Sequence, residues 1–367
     1  MSLKVLLISP FHGSSSHAAW AEGLKKHSSH QIDIVELDDR AWSWRLRGGA
    51  LPLRDKLLRY DEPVDVVLAT SLTCLSSLYG LLRRSPLAGL PTVYYMHENQ
   101  LTYPIRPGGR RDPGLVLRQF HSQLAADFVW FNSEHNMKSW FKKLPVFLKK
   151  FKDHQGFDHV EQLKARSQVV PLGLSLRAAK PAPDSTRPLL LWNQRWAWEK
   201  GVDRFLGLIQ KFDKEAPFDV VLLGRPVPDR EREELEEFLG PRLLHAGWCS
   251  KEEYWKWLAR SSVTVSVARH EFFGISLLEA AACGVMTFLP KRLSYPEIIP
   301  SELHSSCFYS SAKDLYRRVK RFLEKPQEFR ETRESLRQAA LGFDWRNRAG
   351  SYDEELERVM LACAGAL

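Results

Sequence analysis

Short apolar runs and amphipathic stretches alternate along this chain twice over, and no other feature limits its fold as much. In the first half, strands are predicted at Lys4–Ser9, Gln31–Leu37, Val64–Thr70, Thr92–His97, Asp127–Ser133 and Gln168–Leu172. Helices fit between them at Ala18–Lys26, Leu72–Arg83, Gly114–Ala125 and His135–Leu148. That spacing builds a parallel sheet covered on both faces. The stretch Ala178–Pro188, Pro-rich and polar, reads as a linker. Beyond it strands are predicted at Leu189–Trp192, Phe218–Leu223, Leu243–Ala246, Val263–Ala268 and Met286–Leu289. Helices fit at Val202–Phe212, Asp229–Phe238, Lys251–Ala259, Ile275–Ala282, Ala312–Phe322 and Gln327–Leu341. The expected fold class is α/β: two doubly wound, Rossmann-like domains facing each other over a central cleft. Residues 1–177 form the first domain, 178–188 the linker and 189–344 the second, and a last helix within 345–367 packs back across the domains.

Bulk properties narrow the class. The chain has 367 residues, 44% hydrophobic and 26% charged, so it can bury two cores. It contains no apolar run of 18 residues, which predicts no spanning helix. The opening MSLKVLLISP has too short an apolar core for a signal peptide and reads as a first strand. The five cysteines are scattered and odd in number, which argues for a reducing compartment, hence the cytoplasm, and against structural zinc. The net charge of +9 favours an anionic partner such as nucleic acid, nucleotide or acidic lipid, without choosing among them. Tryptophan is abundant, with 12 residues, and a Trp exposed beside Arg suits a base or sugar ring; loop packing is the plainer alternative.

Ligands of doubly wound sheets sit at the carboxyl ends of the strands, so residues just after each strand are the candidates. The first strand is followed by Pro10-Phe-His-Gly-Ser-Ser-Ser-His17, whose Gly13 and His17 could cradle an anion or sugar. After the fourth comes a polar cluster, His97-Glu98-Asn99-Gln100, and after the fifth Asn132-Ser133-Glu134, most simply a helix cap. Two segments mix bases with aromatics: Trp42-Ser-Trp44-Arg45-Leu-Arg47, and Lys138 to Lys152 with Lys138, Lys142, Trp140 and Phe147. Such mixtures suit a phosphate backbone with unstacked bases, although a solvated amphipathic helix looks similar.

In the second half the post-strand residues are Asn193-Gln-Arg195-Trp-Ala-Trp-Glu-Lys200-Gly201, then Gly224-Arg225, Gly247-Trp248 and His270-Glu271. Arg195 and Lys200 suit a diphosphate, Gly224 permits close backbone approach, and Trp248 could meet a base. In His270-Glu-Phe-Phe-Gly-Ile-Ser-Leu-Leu-Glu279, a helix opens at Gly274, offering free N–H groups to an anion. Glu271 and Glu279 can accept from vicinal hydroxyls, or be no more than solvated residues at either end of an ordinary helix. Recurrence at one end of one sheet favours a single nucleotide site.

The basic pair in NQRWAWEKG and the seven-residue Glu spacing in EFFGISLLE resemble the GT-B glycosyltransferases of family 4. WSWR, MHENQLTYP, FNSEHNMKSW, ARHEFFGISLLEA and YPEIIP resemble, more closely, the tRNA-queuosine alpha-mannosyltransferases. That resemblance implies transfer of mannose from GDP-mannose to the cyclopentenediol of queuosine in a tRNA anticodon, of the tRNA-Asp type. It implies Glu279 on the donor ribose, Glu271 by the transferred sugar, and Arg195 and Lys200 on the diphosphate. Gly224, Arg225, Trp248, Phe272, Phe273 and Gly274 complete the implied donor site, and His97 would lie near the anomeric carbon. Gly13, His17, Trp42, Trp44, Arg45, His97, Glu98, Asn99, Lys138 and Lys142 fall to the acceptor. The first loop reads FHGSSSH where Gly-Gly-Ser-His is usual.

No Asp-x-Asp occurs in the chain, which fits a metal-independent enzyme without a cofactor. The resemblance also implies retention of configuration, with front-face attack and the leaving phosphate taking the acceptor proton. Two other functions stay open on sequence: a family-4 enzyme acting on a lipid or small molecule, and a non-catalytic nucleotide-sugar or RNA-binding protein.

Overall fold

The computed structural model describes residues 2–13, 15–182, 187–212, 216–224 and 229–365. They form two compact units: Met1–Ser175 with Phe343–Leu367, and Leu176–Gly342. The strands of the first are β1 (Lys4–Ser9), β2 (Gln31–Glu36), β3 (Val66–Thr70), β4 (Thr92–Met96), β5 (Phe128–Phe131) and β6 (Ser167–Val169). Those of the second are β7 (Leu189–Trp192), β8 (Asp219–Leu223), β9 (Leu243–Gly247), β10 (Val263–Val265), β11 (Met286–Pro290) and β12 (Phe308–Tyr309). Among the described residues they make two six-stranded sheets, ordered β2-β1-β3-β4-β5-β6 and β12-β11-β10-β7-β8-β9. The pairings are parallel, from Lys4↔Gln31 to Leu289↔Phe308. Strands covered on both faces carry apolar runs rather than alternation, as VVLAT, TVYYM and LLLW do.

Each sheet starts at an interior strand and grows first one way, then the other. The order reverses beside β1 in the first unit and beside β7 in the second, and crevices open at such reversals. One face of the first sheet packs Leu6, Ile8, Val67, Tyr94, Met96 and Phe131 against helix residues such as Leu78, Phe120 and Trp140. The opposite face takes the C-terminal helix Trp345–Ala364, whose buried Trp345 and Tyr352 lie with Trp20, Tyr95 and Trp130. Burial of one such Trp removes roughly 200 Å² of surface, about 5 kcal/mol before ordering costs. Gly23 and Gly173 make room: a Cβ there would lie 1.8 and 2.4 Å from the Trp345 ring.

Several expectations are corrected. The described part of the expected linker, up to Ala182, belongs to the second unit. Buried Arg333 donates to Ala182 O and Gly284 O, and Ala179 N donates to Ala282 O. Helices Trp42–Gly48, Ala50–Leu57 and Phe157–Ala165 were not expected, because each is short and its apolar periodicity covers two turns or fewer. In the basic helix Glu134–Leu148, Trp140 and Phe147 are buried in the core, so these rings cannot stack on bases. Lys138 stays outside, paired with Glu134, as does Lys142. None of the described helices is long and apolar enough to cross a membrane.

Candidate active site

In the second unit the loop after β7 and the loop after β10 are laced together. The backbone carbonyl of Glu199 accepts from Arg269 N at 2.8 Å and His270 N at 3.2 Å. Arg269 grips Asp203 with two bonds of 2.8 and 2.6 Å and stacks its guanidinium over Trp198. Gly201 adopts φ +79° at the start of the helix Val202–Ile209, and a Cβ there would lie 2.5 Å from Val267 O. Gly224, at φ +122° after β8, sits equally close to Gln194 O. Both positions need glycine for conformation and for approach.

The two acids are held differently. Glu271 lies 2.7 Å from Lys200 Nζ, both largely buried. Burial pushes its carboxyl up, but the Lys200 charge and hydrogen bond, helped by His270 and the Phe273 N–H, bring it below the usual carboxylate range. Glu279, on the helix Ile275–Ala282, forms no ion pair among the described residues. Burial raises its carboxyl to about 7, opposed by the hydrogen bond from Tyr254 and by Lys251. Tyr254 OH donates to Glu279 Oε2 at 2.6 Å and accepts from Asn193 Nδ2 at 3.1 Å. Asn193 also donates to Ser276 O at 2.6 Å, which ties the end of β7 to the first turn of this helix.

Arg195, Lys200, Gly224, Glu271, Gly274 and Glu279 are thus brought to the carboxyl ends of β7, β8 and β10. Neither cation stands alone: Lys200 is paired with Glu271, and exposed Arg195 reaches Glu199 Oε1 at 3.2 Å. An arriving diphosphate would share these charges rather than meet bare ones. The rings of Phe272 and Phe273 are buried, Phe272 edge-on to His270, which leaves their main chain for any ligand. Gly274 caps the helix at φ +110°. Trp248 is exposed after β9, at the sheet edge two strands from β7. Arg225 lies outside the described residues.

Sequence reasoning overlooked the groups that brace this site. Tyr254 sits on the helix Lys251–Arg260, and no spacing links it to Glu279. Ser294 Oγ donates to Phe273 O at 2.8 Å and Tyr295 OH pairs with Ser266 Oγ at 2.6 Å, so YPEIIP buttresses the EFFG turn. Asn193 had a signal: a polar residue directly after a buried strand.

In the first unit, a second group gathers after β1 and β4. His17 and His97 are in contact, tilted at 42° with ring centroids 4.4 Å apart, and Trp20 and Tyr95 flank His97 at 4.6 and 4.5 Å. Tyr352 OH accepts from Trp20 Nε1 at 3.0 Å and lies 2.9 Å from Tyr95 OH. Burial, with His12 adding to it, lowers His17 to about 4; burial and then His17 hold His97 well below its usual range. Both rings are neutral at pH 7. His17 Nδ1 and His97 Nε2 are buried without a hydrogen-bond partner, which is rare unless a ligand completes the site.

The loop carrying His97 is rigidly fixed. Asn132 Nδ2 donates to His97 O at 2.8 Å, and Asn136 Nδ2 to Met96 O and Asn132 Oδ1, both at 2.9 Å. Asn99 is fully buried: its amide donates to Asn136 Oδ1 at 2.7 Å, and its oxygen accepts from Thr102 N and Oγ1. Its hydrogen bonds therefore shape the loop. Glu98 accepts from Gln100 Nε2 at 3.1 Å. Ser133 caps the helix Glu134–Leu148, as the sequence indicated. Gly13 has φ +75° and faces Asp39, where a Cβ would lie 2.7 Å from the carboxylate. Among the described residues only His12, Glu22 and Glu36 converge as metal ligands could. The 2.9 Å His12–Glu36 contact satisfies that ring nitrogen without an ion.

Two parallel doubly wound sheets, with paired acids and cations at the strand ends of the second, define a glycosyltransferase of the GT-B class. Residues 177–342 match the family model "Glycosyl transferases group 1". The overall chain is similar to a sucrose-phosphate synthase of Thermosynechococcus elongatus, with a TM-score of 0.75 at 14% identity, covering 98% of this chain and all of that one. It is also similar to the catalytic domain of starch synthase IV from Arabidopsis thaliana, with a TM-score of 0.70 at 12% identity and full coverage of both. These likenesses show the fold. Residues 4–174 match the model "tRNA-queuosine alpha-mannosyltransferase N-terminal". A Drosophila melanogaster protein named tRNA-queuosine alpha-mannosyltransferase is 33% identical over 351 residues, 90% of each chain. The chain belongs to the tRNA-queuosine alpha-mannosyltransferase family.

Proposed function

We propose that this enzyme transfers mannose from GDP-mannose to a cyclopentenediol hydroxyl of queuosine in the anticodon of a tRNA of the tRNA-Asp type, in the cytoplasm. The observation that carries this reading is the relative of that name, matched through both units. Glu279, ionised, accepts from the ribose hydroxyls, while Tyr254 holds one of its oxygens. Lys200, Arg195 and the N-terminus of the helix Ile275–Ala282 offset charge growing on the departing diphosphate, so no metal is needed for that task. Glu271 orients Lys200 and accepts from the hexose. His97, neutral and with an unmatched ring nitrogen, can donate to or accept from a sugar hydroxyl without adding charge. A leaving phosphate oxygen takes the acceptor proton as the new glycosidic bond forms on the face the phosphate leaves, retaining configuration.

Purified enzyme and GDP-mannose are to be incubated with queuosine-containing tRNA and with the same tRNA lacking that base. On a boronate gel, only the queuosine-containing tRNA should change mobility, because its cyclopentene diol is replaced by a mannosylated one. Unchanged mobility of both would overturn the acceptor, and donor turnover that survives ribonuclease would point to a small acceptor instead.

A further inference from the structure

Four tryptophans of the first unit, Trp20, Trp130, Trp140 and Trp345, are buried, whereas Trp42 and Trp44 are 43% and 62% exposed on one short helix. Leu46 is the buried anchor of that helix, Trp42–Gly48, and the Trp44 ring lies over Gly48. Arg47 ion-pairs with Asp112, which also caps the next helix by accepting from Gly114 N at 2.7 Å. The ion pair brings the loop Tyr103–Asp112 beside the tryptophans. From its other side Arg111 clamps that loop, donating to Gln100 O and, at 2.8 Å, to Tyr103 O. Gln100 belongs to the segment that begins at His97. The clamped loop leaves Arg106 and Arg110 exposed. A continuous path therefore runs from the His97 loop through two exposed arginines to two exposed indoles.

We infer that the helix Trp42–Gly48 and the loop Tyr103–Asp112 together form a surface for unpaired nucleotides of an RNA loop. The indoles stack on splayed bases, and Arg106 and Arg110 contact the phosphates between them. This deepens the proposed function and rests on it. Unpaired bases fit better than duplex, because indole faces can stack only on bases out of a helix. The other basic segment offers no comparable rings, since Trp140 and Phe147 are buried and Phe141 and Phe151 pack against the core. A polyanion also matches the chain's net charge of +9.

The test is binding of the full chain, without donor, to queuosine-containing tRNA and to an RNA duplex of similar length, from 50 to 200 mM salt as a rough range. The wild type should prefer tRNA. Trp42→Ala with Trp44→Ala should weaken tRNA binding about tenfold or more without changing the salt slope. Arg106→Ala and Arg110→Ala should each lower that slope by roughly one. All four side chains are exposed, and GDP-mannose affinity, expected unchanged, checks that the fold persists. If the tryptophan variants bind tRNA as the wild type does, while the wild type mannosylates it, the surface is wrong. Equal wild-type affinity for tRNA and duplex would overturn base stacking. A wild type that binds no tRNA would overturn both this surface and the functional reading.

Discussion

Tyr254 OH lies 2.6 Å from Glu279 and donates to it, holding a buried carboxyl that burial alone would keep protonated. With this bond in place the carboxyl titrates at about 7, so donor affinity should rise as pH climbs from 6 to 8. Tyr254→Phe removes the bond, and the carboxyl moves further up. Calorimetric titration with GDP-mannose should give about tenfold or greater weakening at pH 7, partly recovered at pH 8.5. An affinity loss equal at both pH values would mean that Tyr254 only fills space.

Glu279 itself should cost stability. Its folded carboxyl titrates at about 7, above the ordinary 4.5 of an unfolded chain. The folded state therefore keeps a proton that the unfolded state has lost between those values, and stability falls as pH rises through this window. Glu279→Gln should stabilise the protein at pH 8 by about 3 kcal/mol and hardly at all at pH 4.5. Thermal unfolding at the two pH values reads this, while donor affinity drops at least about tenfold.

Lys200 and Arg195, both assigned to the diphosphate, should separate in their effects on folding. Lys200→Met strands buried Glu271 and should lower unfolding free energy by about 3 kcal/mol, with Glu271→Gln in the same chain restoring most of it. The exposed Arg195–Glu199 pair is worth less, so Arg195→Ala should change stability by under about 1 kcal/mol. Its turnover should nevertheless fall about tenfold or more, read against donor affinity in the same preparation.

The histidine pair gives the opposite pH slope. His17 is lowered to about 4 from its ordinary 6.5, so the unfolded chain takes up the proton first as pH falls. Stability is present above 6.5 and is lost towards 4, by about 3 kcal/mol for His17. His17→Gln should flatten chemical-denaturation stability across that window, leaving the part due to His97.

The fold was legible because buried parallel strands announce themselves as apolar runs: Lys4–Ser9 and Leu189–Trp192 agree with the sequence to the residue. The helix Trp42–Gly48 has no apolar period to announce it, because Leu46 is its one buried residue. The motif acids and bases were visible because they follow strands directly. Tyr254 and Ser294 were not, since each acts on a segment remote in sequence, Tyr254 on Glu279 and Ser294 on Phe273 O. The aromatics of Lys138–Lys152 misled for a simple reason: helical spacing gives the same pattern whether a ring faces the core or the solvent.

Calorimetric titration of the wild type with GDP-mannose, GDP-glucose, UDP-glucose and UDP-galactose, repeated on Glu279→Ala, bears most directly on the donor site. GDP-mannose should bind tightest to the wild type, with its affinity largely lost in the variant. A uridine donor binding tighter, or an affinity unmoved by loss of the Glu279 carboxylate, would contradict the account.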